Sequence, residues 1–172
     1  KKTALLLIIL LGSLFTVSGH ASGNFGMTFG ANAINSGSTV DTDTPYINLG
    51  LNYSSDPSNY FAFLFGANYA FSERDNISDK RVILEAGFKY FISDAWYTLA
   101  TLNYNFPDSK NSGLDSGMGY RLGLGYTFVD SWRFISKLSF ELSFEQLNNT
   151  AGDIQRRNIK YDTTRFGFSW LI

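Results

Sequence analysis

The chain has 172 residues, with 14 Lys and Arg against 15 Asp and Glu, and this balance argues against nucleic acid as a partner because phosphate binding needs a basic surface. It contains no cysteine, so neither disulfides nor thiol chemistry is available to it. Mean hydropathy is −0.08 although 17% of the residues are aromatic, which indicates that apolar residues are spread evenly along the chain.

The chain opens with a segment that resembles a leader. Lys1 and Lys2 precede an apolar run from Ala4 to Leu11, and a small-x-small motif ends at Ala21. This order is typical of a secretory signal peptide, and the rival transmembrane anchor would need about 20 apolar residues. We therefore expect a signal peptide over residues 1–21. The remaining 22–172 suit one domain with 12 basic and 15 acidic residues, a net charge of −3.

Eight segments show apolar residues at every second position, the pattern of a strand with one apolar face. The clearest is the seventh, in which Phe140, Leu142 and Phe144 alternate with Glu141 and Ser143, and the fifth is the least regular. Strands of about 9–11 residues are what a tilted barrel needs to cross a bilayer. The predicted strands are 24–34, 46–54, 60–72, 81–92, 96–106, 119–128, 133–145 and 159–172.

The predicted connections alternate in length. Three are short turns, at 55–59, 93–94 and 129–131, and four are longer polar loops, at 35–45, 73–80, 107–118 and 148–158. Short periplasmic turns and longer outer loops are typical of an outer-membrane barrel. A soluble sandwich or lipocalin-like barrel also alternates, but its apolar face points inward. The signal peptide, the loop lengths and an aromatic last strand together favour an all-β, transmembrane, up-and-down antiparallel barrel of eight strands.

The last strand places three aromatic residues on one face, opposite an arginine and a glycine. Its pattern resembles the carboxy-terminal assembly signal of bacterial outer-membrane barrels: a polar residue, a spaced glycine and then alternating hydrophobic residues. The terminal isoleucine departs from the Phe or Trp with which most such proteins end. The residues that carry this resemblance are Arg165, Gly167, Trp170 and Ile172.

Catalytic chemistry is restricted by the residues available. His20 is the only histidine and belongs to the expected signal peptide, so histidine-dependent hydrolysis and His-Cys metal sites are excluded from the mature chain. The known enzymes among outer-membrane barrels resemble one another in relying on a histidine. No pair of loop carboxylates stands out as an acid and base. We therefore expect no catalytic site, no metal and no cofactor.

Charged residues on the polar faces of the strands are the remaining candidates for a site. They would form either a neutralising network that fills the lumen or a selective pore or proton path. An eight-stranded barrel is just wide enough for side chains to fill it, which favours the network. These inward charges are Arg81, Glu85, Lys89, Arg121, Lys137, Glu141, Glu145 and Arg165.

In layout, residues 22–172 resemble the small eight-stranded outer-membrane proteins of the OmpX, Ail and OmpA-transmembrane-domain group. The resemblance implies residence in the Gram-negative outer membrane, contact with its lipid and lipopolysaccharide, insertion by the barrel assembly machinery, and a monomer. A basic loop cluster contains Arg156, Arg157 and Lys160. Its candidate partners are lipopolysaccharide phosphates or a host surface, but a solvated loop without a partner is the favoured interpretation, because such charge clusters are usually just exposed.

Roles in that group range from adhesion to envelope stabilisation, and none carries over by residue. Our first hypothesis is a non-enzymatic barrel with a structural or surface-interaction role. The alternative is a narrow channel for small solutes or ions. A lipid-modifying enzyme is the third hypothesis, and the missing histidine counts against it.

Overall fold

The computed structural model describes residues 23–34, 46–55, 60–74, 77–108, 114–128, 138–150 and 158–171. Within these ranges no helix is long and apolar enough to cross a membrane. The strands are β1 (Gly23–Ile34), β2 (Tyr46–Ser55), β3 (Phe61–Arg74), β4 (Ile77–Phe91), β5 (Trp96–Pro107), β6 (Gly117–Thr127), β7 (Leu138–Thr150) and β8 (Asn158–Leu171).

The eight strands form one closed antiparallel barrel. Each strand pairs with its neighbours in the chain, and β8 returns to pair with β1. Following the paired positions once round the barrel from Asn24 leads back to Ile34, ten residues further along β1. This stagger requires the strands to tilt by about 35–45° from the barrel axis.

The two faces of the wall have opposite polarity. Outward-facing side chains are large and apolar, with Phe63 67% and Leu102 66% exposed, whereas inward-facing Asn48 and Glu145 are each 1% exposed. A soluble protein shows the reverse arrangement, because water outside favours polar surface. Hydrocarbon outside and a polar lumen inside explain the inversion. The prediction of an eight-stranded transmembrane barrel is confirmed, and the lipocalin-like alternative is wrong.

The predicted strand ends are wrong at two loop-side connections. The predicted loop 73–80 is mostly strand, because Arg74 pairs with Ile77 and only two residues separate β3 from β4. Likewise β7 continues to Thr150, beyond its predicted end at residue 145. In both places the sequence loses its apolar alternation where the strands leave the membrane. Strand pairing does not need lipid on one face, so it continues without the pattern.

The start of β7 also differs. Thr127 pairs with Ser139, whereas a turn at 129–131 would pair Thr127 with residue 133, so the register of β6 with β7 differs from the predicted one. The predicted strand start at residue 133 lies outside the described residues. The same holds for the expected signal peptide, residues 1–21.

Aromatic side chains cluster at the two rims of the outer wall. At the end that carries the chain termini, the ring centroids of Trp96 and Tyr126 lie 4.9 Å apart. At the opposite end, which we call the loop end, the rings of Tyr104 and Phe106 lie 4.8 Å apart. Such amphipathic rings favour the interface between hydrocarbon and headgroups. The apolar belt of the barrel therefore lies between these two rims.

A charge in this belt should be costly in proportion to its depth. Leu122 lies between the rims and Met118 lies four residues closer to the loop end on the same face of β6. We expect Leu122→Arg to lower the free energy of unfolding by about 2–4 kcal/mol and Met118→Arg by about 0–1 kcal/mol. Urea unfolding in liposomes measures both. Equal costs would contradict the placement of the belt.

Candidate functional site in the barrel lumen

The predicted inward charges are placed by the strands in the interior of the barrel. Lys137 lies outside the residues that the structure describes. The other seven side chains are all buried: Arg81, Glu85, Lys89, Arg121, Glu141, Glu145 and Arg165.

Arg121 on β6 joins three strands across the lumen. Its Nη2 donates to Oε2 of Glu85 on β4 at 2.7 Å, and its Nη1 donates to Oε1 of Glu141 on β7 at 2.6 Å. The side chain of Arg121 is 2% exposed, so both bonds are shielded from water. Short charge-assisted bonds of this kind are about twice as strong as neutral ones. Arg121 therefore connects β6 with its neighbour β7 and with β4, two strands away.

Tyr97 extends this network toward the end of the barrel that carries the termini. Its hydroxyl donates to Oε2 of Glu141 at 3.0 Å. The Nζ atom of Lys89 lies 4.4 Å from the centroid of the Tyr97 ring, a cation–π contact. Tyr97 was not predicted as part of the lumen, because an inward aromatic residue interrupts the polar face of β5. Its ring packs over Gly125, where a Cβ would overlap it.

Glu145 and Arg165 are buried without an ion pair among the described residues. The carboxylate of Glu145 accepts hydrogen bonds from Asn32 Nδ2 at 2.9 Å and Asn103 Nδ2 at 2.6 Å. Arg165 Nη2 donates to Asn68 Oδ1 at 3.4 Å. Within the described part of the chain, the hydrogen bonds to Glu145 do not come from a basic side chain. Asparagine side chains provide its hydrogen bonds instead.

The loop end of the lumen contains an apolar cluster that the sequence did not indicate. It contains Tyr46, Ala70, Ile83, Leu114 and Leu147, with Ile159 packed against it. Leu114 comes from the connection between β5 and β6, and its neighbour Asp115 is bound through both backbone groups. Asp115 N donates to Thr150 O at 2.8 Å, and Asn149 Nδ2 donates to Asp115 O at 2.7 Å. We call this cluster the loop-end cap.

Arg81 lies beside the loop-end cap. Its Nη2 donates to the Tyr46 hydroxyl at 3.1 Å, and its guanidinium carbon lies 4.8 Å from the centroid of the Tyr46 ring. Arg81 therefore reaches a different partner from the other lumen arginines, at a different level of the barrel.

The residues of the predicted assembly signal occupy both faces of β8. Arg165 and Gly167 point into the lumen and are buried, whereas Trp170 is half-buried on the outer face. Ile172 lies outside the described part of the chain. Gly167 has room for a methyl group, because the nearest atom to an added Cβ would be Phe29 O at 3.6 Å.

Ion pairs occupy the two carboxylates that lie beside Arg121. Each of Glu85 and Glu141 is engaged by Arg121, which leaves no carboxylate of that pair available as an acid or base. Across the described ranges, no group of three His, Cys, Asp or Glu side chains is arranged to hold a metal ion.

Comparison with known proteins gives matches at the level of structure. No protein-family model matches the chain, and no curated protein matches it. The outer-membrane enzyme PagL superposes with a TM-score of 0.59 at 14% identity, covering 87% of this chain and 99% of PagL. Ail, the attachment invasion locus protein of Yersinia pestis, in complex with the heparin analogue sucrose octasulfate, gives 0.56 at 11% identity, covering 89% and 99%. Neisserial surface protein A gives 0.51 at 12% identity, covering 87% and 96%.

The fold and the polar lumen define the class of this protein, a small eight-stranded outer-membrane β-barrel. This is the class that the sequence predicted, and its place is the Gram-negative outer membrane. The similar structures include both surface proteins and an enzyme. At such low identity the similarity establishes the fold and leaves the role to be argued from the residues of this chain.

Removing Arg121 should leave two buried carboxylates without a counter-charge. We expect Arg121→Met to lower the free energy of unfolding by about 3–5 kcal/mol, as when one partner of a buried pair is lost. The triple variant Arg121→Met, Glu85→Gln, Glu141→Gln should lose less free energy of unfolding than the single variant, because neither carboxylate remains as an unpaired buried charge. Urea unfolding in liposomes measures both. A triple variant at least as unstable as the single one would contradict the coupling.

Proposed function

We propose that this protein is a non-enzymatic outer-membrane barrel whose closed lumen supports a structural or surface-interaction role. The observation that carries this proposal is the bridge from Arg121 to Glu85 and Glu141, which crosses the lumen while fully buried. A passage for solutes would expose side chains at this level to water. The loop-end cap forms a second obstruction above it.

The chemistry of the chain supports a role without catalysis. His20 is the only histidine of the sequence, and the lumen carboxylates are occupied by hydrogen bonds. The similarity to Ail and to Neisserial surface protein A supports a role at the cell surface, since one of those structures holds a heparin analogue. In this proposal the loop end faces outward and presents its connections to lipopolysaccharide or a host surface, and the barrel acts as a monomer.

Conductance tests this proposal. We expect the purified barrel in a planar bilayer to show no stable ion-selective openings, because two obstructions lie in series along the lumen. The variant Arg121→Met with Glu85→Gln and Glu141→Gln is a suitable comparison, since it removes the charges and leaves the loop-end cap in place. Large, stable openings in the wild-type protein would contradict the closed lumen and support a channel.

A narrow channel is the second candidate, favoured by the polarity of the lumen. Polar side chains line the interior from Ser54 and Ser169 near the termini to Asn149 at the loop end. Arg165 has no ion pair among the described residues, so it could face a passing anion after a rearrangement. Anion-selective conductance that disappears in Arg165→Met would favour this candidate.

We also propose that Arg165, Gly167, Trp170 and Ile172 act as a signal for the barrel assembly machinery. Because the folded barrel has room for a Cβ at Gly167, we expect Gly167→Ala to change the free energy of unfolding by no more than about 0.5 kcal/mol. The same variant should reduce the amount of heat-modifiable protein in the outer membrane of cells.

Gly125→Ala is the matched control, because its Cβ would overlap the Tyr97 ring. Overpacking should lower the free energy of unfolding of Gly125→Ala by about 1–3 kcal/mol in vitro. The amount of this variant in the outer membrane of cells should fall as well. Normal outer-membrane levels of Gly167→Ala would rule out a role of this glycine in the signal.

A further inference from the structure

A groove of about 460 Å³ lies in the outer wall of strands β1–β4. It exists because a small residue interrupts a row of large ones: on the outer face of β3, Ala67 stands between Phe65 and Tyr69, which are 52% and 42% exposed. The neighbouring strands supply the sides of the groove. Its outward-facing lining residues are Met27, Leu49, Leu51, Ala67, Tyr69 and Val82.

Hydrocarbon covers this groove, because it is continuous with the lipid-facing belt. Its lining is almost entirely apolar, which suits an acyl chain. The groove is open toward the lipid along the outer wall, so a segment of one acyl chain can lie in it.

A cation stands at the loop end of the groove. Lys80 is exposed on the outer face of β4, two residues beyond Val82 in the direction of the loop end. Within the described part of the chain Lys80 forms no ion pair, whereas Lys160 on β8 is paired with Asp162 at 2.8 Å. An exposed lysine at this level can reach a lipid phosphate while an acyl chain of the same lipid lies in the groove.

We propose that the groove binds one acyl chain of the lipid A portion of lipopolysaccharide, with Lys80 pairing with its phosphate. The choice of lipopolysaccharide rests on the proposed function, in which the loop end faces the outer leaflet. The site fixes one lipid at a defined side of the barrel, between β1 and β4.

Retention of lipid by the folded barrel tests this site. The protein is incorporated into nanodiscs that contain equal amounts of lipid A and phosphatidylglycerol, and the lipid that survives stepwise removal is identified by native mass spectrometry. We expect the wild-type barrel to retain lipid A. Ala67→Leu fills the groove and should weaken retention about tenfold, the equivalent of losing two buried methylenes. Lys80→Gln should weaken it about fivefold, the value of one lysine near a lipid phosphate.

Two matched variants serve as controls. Ala86 is exposed on the outer face of β4, opposite Phe65 and outside the groove, so Ala86→Leu adds the same side chain elsewhere in the belt. Lys80→Arg keeps a cation at the position of Lys80. Both should retain lipid A as the wild type does, and heat-modifiability confirms that every variant is folded.

Three outcomes would overturn the proposal: no lipid retained by the wild type, equal losses in Ala67→Leu and Ala86→Leu, or retention of phosphatidylglycerol as strong as that of lipid A. The assay is independent of conductance. If the barrel conducts ions and retains lipid A, the closed lumen is refuted and the lipid site stands. If the barrel does not conduct and retains no lipid A, the lipid site is refuted and the closed lumen stands.

Discussion

The pairing of β1 with β8 is the constraint on which the rest of the structure depends. An open sheet edge in hydrocarbon would leave backbone N–H and C=O groups without partners, at several kcal/mol for each group. Pairing from Gly26 with Leu171 to Ile34 with Thr163 removes both edges. Closure at a stagger of ten residues also determines the radius of the barrel. A cylinder of this radius has lipid on one side and a narrow space on the other, and the polarity of each face follows.

The narrow interior explains why the charges pair as they do. Buried ions lose much of their hydration and must be compensated by neighbouring groups. Arg121 compensates two carboxylates at once, and asparagine amides compensate Glu145. The loop-end cap adds mainly apolar side chains, and the hydroxyl of Tyr46, its one polar side-chain group, accepts a hydrogen bond from Arg81. Packing and electrostatics therefore act together on the side chains that point into the lumen.

The predicted strand bounds were correct where one face of a strand contacts lipid, because lipid contact requires apolar residues at every second position. They were wrong where a strand extends beyond the lipid. Strand β5 was predicted over 96–106 and spans Trp96–Pro107, because Leu102, Tyr104 and Phe106 face hydrocarbon. The predicted loop 73–80 was wrong, because strand pairing beyond the membrane has no apolar signature. Leu114 was assigned to a polar loop, since a single apolar residue carries no period. Its burial depends on contacts with strands that are distant in sequence.

The sequence by itself determined which face of the wall each strand residue occupies, because successive side chains of a strand point to opposite sides. Only the tertiary structure decided which inward side chains meet. Arg121 lies directly opposite Glu145 in the pairing of β6 with β7, yet it binds Glu85 and Glu141. The physical reason is that the strands are tilted and staggered around a narrow lumen, so an inward side chain reaches residues that are not its partners in the sheet. Partner choice inside the barrel is therefore a property of its closure and stagger.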